Sequence, residues 1–144
     1  MSLRTNALLS ILALATVLMA HATDARADLM TACASETSQY CADVSKGRGR
    51  LSACLAGQMG RLGPACLLEV QAVGQSRLTP GYVRKIFNPA FRAPLPAACA
   101  APAAEFCPGM TPGEGRVFAC LYARSDRVPK ACADAAQATL KEAK

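Results

Sequence analysis

The chain has no tryptophan, and its one histidine, His21, falls in the first 27 of 144 residues. Aromatic residues make up only 5% of it, so large rings can supply little of any core. Beyond residue 27 no apolar run approaches the roughly 20 residues that cross a bilayer. No two cysteines stand closer than eight positions, which excludes the C-x-x-C pair of thiol redox enzymes and the usual clustered thiolate metal site. Without histidine after residue 21, neither a Ser-His-Asp nor a Cys-His arrangement can be assembled. Acids are also missing where bases collect, with none between Glu69 and Glu105.

What is present is a duplication. Cys33, Cys41, Cys54 and Cys66 are spaced C-x7-C-x12-C-x11-C, and Cys99, Cys107, Cys120 and Cys132 repeat that spacing 66 residues later. The same shift pairs Gly47 with Gly113, Gly49 with Gly115, Arg50 with Arg116, Ala53 with Ala119, Leu55 with Leu121 and Arg61 with Arg127. One structural unit occurs twice. The carboxylates Glu36, Asp43, Glu69, Glu105, Glu114, Asp126 and Asp134 do not align under the shift, so no duplicated acid–base pair exists.

The N-terminus has the pattern of a secretory signal: Arg4, an apolar run from Ala7 to Ala20, and the small-x-small site Ala25-Arg26-Ala27. Cleavage is expected after Ala27, with Ala22 as the alternative, and no transmembrane anchor remains. The Ala-rich signal is of bacterial type and points to a periplasmic or secreted protein. An oxidising compartment accounts for eight cysteines in two even sets, since disulfides persist there. The net charge of +6 favours acidic partners.

The expected fold class is all-α: two tandem disulfide-stapled helical-hairpin repeats joined by a basic, proline-containing linker. Residues 1–27 form the signal peptide, 28–73 the first repeat, 74–96 the linker and 97–144 the second repeat. Leu29, Cys33, Thr37, Tyr40 and Cys41 fall on one helical face, and Leu51, Cys54, Leu55, Gln58 and Leu62 on another after the Gly47-Arg48-Gly49 turn. A third helix starts near Pro64 and turns Cys66, Leu67, Val70 and Val73 inward. In the second unit Pro102 is expected to disturb the first helix, Pro108 and Pro112 to stiffen the turn, and Pro129 to precede the last helix. Antiparallel hairpins favour nested pairing, Cys33 with Cys66 and Cys41 with Cys54, then Cys99 with Cys132 and Cys107 with Cys120. Four cysteines permit three pairings, and the other two stay open. Stacked units of this kind are expected to share only an interface.

The linker carries Arg77, Arg84, Lys85 and Arg92 interleaved with Tyr82, Phe87 and Phe91. A short helix is expected around 79–87, with its aromatics packed between the units.

The stretches Cys41-Ala-Asp-Val-Ser-Lys-Gly-Arg-Gly-Arg-Leu-Ser-Ala-Cys54-Leu and Phe106-Cys-Pro-Gly-Met-Thr-Pro-Gly-Glu-Gly-Arg-Val-Phe-Ala-Cys120-Leu resemble the cysteine-rich repeat family of the Golgi apparatus sialoglycoprotein, the fibroblast growth factor receptor-like cysteine-rich or E-selectin ligand protein. Small bacterial exported proteins with this repeat look similar. The animal proteins carry many repeats and a membrane anchor, so growth-factor and selectin binding are not implied for a two-repeat chain. Family members often have a histidine shortly after the Cys-Leu pair; Gln58 and Arg124 stand in that neighbourhood here.

The functional expectation is an exported, non-enzymatic binding or structural module without cofactor or metal. Its competitor is a periplasmic thiol protein handling soft metal or redox equivalents. Arg50, Arg116, Arg77, Arg84, Lys85 and Arg92 are the candidate binding residues for an acidic protein, a glycan or an anionic surface. Nucleic acid would suit the charge but not the compartment. Arg50 and Arg116 have two readings: stems laid over a disulfide, or cations at helix starts that offset a bound anion. Gly49 and Gly115 are expected to supply backbone angles closed to other residues.

Overall fold

The computed structural model describes residues 28–110 and 115–143. The expected signal peptide with both cleavage sites and His21 lies outside them, as do Pro112, Gly113, Glu114 and Lys144.

The described residues form eight α-helices and no strand. The first unit holds α1 (Leu29–Ala32), α2 (Ala34–Tyr40), α3 (Arg50–Gly57) and α4 (Pro64–Gln75). Asp28 caps α1 by accepting from the backbone N–H of Met30 and Thr31 at 2.8 and 3.1 Å. Proline opens α4, where its missing N–H costs nothing. The linker contributes α5 (Gly81–Arg84), which runs into a 3₁₀ turn at Lys85–Phe87. The second unit holds α6 (Ala100–Phe106), α7 (Gly115–Ala123) and α8 (Lys130–Glu142). The 66-residue shift carries the bounds of α2 onto those of α6 residue for residue.

All four disulfides are nested within their units. The outer pairs, Cys33–Cys66 and Cys99–Cys132, both have Cα atoms 4.7 Å apart. The inner pairs, Cys41–Cys54 and Cys107–Cys120, are at 6.0 and 6.1 Å. Loop-closure entropy alone assigns about 3 kcal/mol to each inner pair and about 4 to each outer one.

Two expectations from proline and glycine are corrected. Pro102 does not disturb its helix: it is buried as the third residue of α6, where the N–H it lacks would have had no intrahelical acceptor. Gly49 does take a left-handed conformation, at φ 71°, but positive φ is not what requires glycine at 115. A Cβ on Gly115 would lie 3.2 Å from the Phe91 ring, so the requirement there is close approach by the linker.

The expectation of units sharing only an interface gives way to a common core. One buried cluster joins Ala53, Leu55, Ala56 and Val70 of the first unit to Phe118, Ala119, Ala123 and Leu140 of the second. The pairing of α3 with α7 is the most extensive in the molecule, and alanines on both helices permit the close approach. The linker is part of this core: Val83, Ile86, Phe87 and Phe91 are buried in it. Phe91 meets Phe118 edge to face at a centroid distance of 6.1 Å. The helix expected over 79–87 is thus shorter, and its aromatics do pack between the units. A smaller cluster around Val117, Leu121 and Val128 belongs to the second unit alone.

Candidate functional site

The two units meet turn against helix end, twice. On one side the turn after α2 brings Asp43 to the end of α7. Arg124 donates to its carboxylate from Nε at 3.2 Å and from a terminal nitrogen at 3.0 Å, and Arg127 donates at 2.9 Å. The hydrogen bond from Arg127 is the main reason the Asp43 carboxyl is held below its ordinary value, helped by the Arg124 charge and opposed by partial burial. Beside this cluster the Ser45 hydroxyl donates to Asp126 at 2.5 Å, which holds that carboxyl low as well. Tyr122 donates to the Arg48 carbonyl at 3.1 Å. Arg48 itself has φ 52° between Gly47 at 94° and Gly49 at 71°, so three left-handed residues in succession shape the turn. Arg124 also reaches the Cys120 sulfur at 3.3 Å, and Arg127 lies over the Phe106 ring at 5.6 Å.

On the other side the turn of the second unit faces the end of α3. A cavity of about 310 Å³ opens there, lined among the described residues by Gly57, Gln58, Gly60, Arg61, Pro108, Gly109, Met110 and Arg116. The 66-residue shift turns Asp43 into Gly109, Arg124 into Gln58 and Arg127 into Arg61. An adjoining cavity of about 180 Å³ shares Gly60 and Arg116 and is bordered by Arg92. Three arginines therefore surround this end of the junction.

The six expected binding residues are put to different uses. Arg50 turns its guanidinium back to donate to the Ser45 and Lys46 carbonyls at 3.1 and 2.8 Å, which offsets its charge at the start of α3. Lys85 donates to the Ala143 carbonyl and ties the linker to the end of α8. Arg92 donates to the Pro89 and Phe91 carbonyls, both at 2.9 Å. Arg77 and Arg84 are exposed on the linker, and Arg116 is exposed at the cavity rim. The structure thus brings Arg92 and Arg116 together and adds Arg61, which sequence reasoning noted only as a repeated residue. The Asp43–Arg124–Arg127 cluster was missed entirely. Its one signal was an arginine kept in both copies beside an acid kept in one.

Every cysteine is disulfide-bonded, and none is more than 4% exposed. Among the described residues no group of three His, Cys, Asp or Glu could hold a metal ion. An apolar pocket of about 200 Å³ lies between the linker and the second unit, against Tyr82, Phe118 and Leu140.

The family model for the cysteine rich repeat matches residues 14–62, a span that includes Cys33, Cys41 and Cys54. No curated protein and no solved structure matches the chain. The match falls mainly on the first of two units whose spacing and disulfides are the same, and that unit is similar to the cysteine-rich repeat.

Proposed function

We propose that the chain is an exported binding module that holds an acidic partner by its basic surface and performs no chemistry of its own. The observation that carries this reading is the complete use of the cysteines: eight of eight are paired and buried, as a scaffold would have them, and no thiol is left to act. The cysteine-rich repeat family is not an enzyme family. A disulfide-rich chain in which no described helix is long and apolar enough to cross a membrane fits an extracellular or periplasmic protein. Exposed Arg77 and Arg84, and the arginines around the inter-repeat cavity, supply the positive surface.

The test is retention on an anionic polymer through a salt series, comparing wild type with Arg77→Ala/Arg84→Ala and with Lys46→Ala/Lys130→Ala. A located basic surface gives a larger loss for the arginine pair, with retention falling steeply as salt screens exposed charges over about 10 Å at 0.1 M. Equal losses from both pairs would mean that net charge alone is responsible and would overturn the reading. The competing thiol protein would need reduced cysteines, and a free-thiol count of zero on the purified chain is the result expected here.

A further inference from the structure

We propose that the cavity between Arg61 and Gly109 is a receptor for a carboxylate side chain, aspartate or glutamate, presented by a polypeptide partner. The inference rests on the binding-module reading and names the ligand chemistry of one place on it.

The molecule carries a second copy of the site. The junction has two equivalent corners, each made from the turn of one unit and the helix end of the other. In the first corner a carboxylate, Asp43, fills the space and is held by Arg124 and Arg127. In the second, Arg127 is matched by Arg61 and Arg124 by Gln58, both able to donate hydrogen bonds, while the acid is matched by Gly109. Gly109 has φ 76°, and among the described residues, its chain neighbours aside, no heavy atom lies within 4 Å of where its Cβ would be. Donors have been kept, and at the position equivalent to Asp43 the acceptor has been replaced by hydrogen. Among the described residues no carboxylate lines the cavity. A Cβ on Gly57 would meet the Met110 methyl at 3.5 Å and the Arg116 carbonyl of α7 at 3.4 Å, so Met110 of the second turn lies against the end of α3.

The size of the cavity favours a side chain on a peptide over a bare carboxylate anion. At about 30 Å³ per water, 310 Å³ holds about ten waters, well beyond a bare carboxylate. It accommodates a carboxylate with its stem and flanking backbone, as the first corner accommodates Asp43 on its turn. Pro108 and Met110 offer apolar walls for that stem.

The experiment uses the full oxidised chain, isotope-labelled, titrated with the peptide acetyl-Ala-Asp-Val-Ser-amide, which copies the turn that fills the first corner. Its Asp→Asn counterpart and free succinate serve as separate arms. The aspartate peptide is expected to shift the amides of residues 57–61 and 109–110 saturably, and the asparagine peptide to leave them unmoved. Arg61→Ala is expected to weaken binding about ten-fold or more, as loss of a charge-assisted bond does. Gln58→Arg restores the arginine pair of the first corner and is expected to tighten it. Shifts spread over Arg77 and Arg84 instead, or Arg61→Ala binding as wild type, would overturn the proposal; succinate binding as tightly as the peptide would overturn its polypeptide part. Salt-sensitive retention on an anionic polymer with no peptide response would remove this site and leave the binding-module reading standing.

Discussion

Gly49 and Gly115 occupy the same place in the two repeats and are glycines for different reasons. The first needs a left-handed backbone, and the second needs room for Phe91. A repeated residue therefore does not guarantee a repeated cause. Asp43 makes the same point in reverse, since its counterpart Gly109 has no side chain and the cluster it forms with Arg124 and Arg127 has no equivalent among the described residues. Its carboxyl is held low chiefly by the hydrogen bond from Arg127. A group whose folded pKa is depressed stabilises the fold above its unfolded value and loses that contribution as pH falls through the folded value. Wild type is therefore expected to lose stability on acidification below about pH 4, and Asp43→Asn to show a shallower loss there. The side chain is 51% exposed, so screening keeps the difference under about 1 kcal/mol. Denaturant midpoints measured from pH 6 down to pH 2.5 check it; identical slopes would show that the cluster contributes nothing.

At the scale of elements, the helices were legible because their signals are local. Pro64 marked the start of α4, the Gly47-Arg48-Gly49 turn marked the start of α3, and the cysteine spacing with antiparallel hairpins favoured the nested pairing without excluding the other two. What was not legible depends on residues distant in sequence. Nothing near Asp43 announces Arg124 or Arg127, about 80 positions away, and nothing near Lys85 announces the Ala143 carbonyl. Gly74 is a further instance. It lies inside α4, where Gly→Ala ordinarily stabilises by about 1 kcal/mol. Here a Cβ would stand 2.5 Å from Cβ and 3.1 Å from Cγ of Phe87 in the linker. Overpacking of this kind costs about 1–3 kcal/mol, so Gly74→Ala is expected to destabilise by about 1 kcal/mol or more, with a lower thermal midpoint. A raised midpoint would mean that the linker does not press on α4.

At the scale of the molecule, the duplication suggested two modules, and the buried cluster shared by α3, α7 and the linker predicts that they unfold together. Replacing Cys41 and Cys54 by alanine loosens α3 at one end. Because α3 is the main support of α7, amide exchange is expected to show lost protection in both helices, and protection lost in the first unit alone would restore the picture of separate modules. The disulfide framework underlies the fused core, the absence of a working thiol and the binding reading together. It is tested most directly by alkylating the purified chain under denaturing, non-reducing conditions and mapping its peptides. Four links are expected, Cys33–Cys66, Cys41–Cys54, Cys99–Cys132 and Cys107–Cys120, with no alkylated cysteine. A link crossing between the repeats, or alkylated cysteine in stoichiometric amount, would contradict the account.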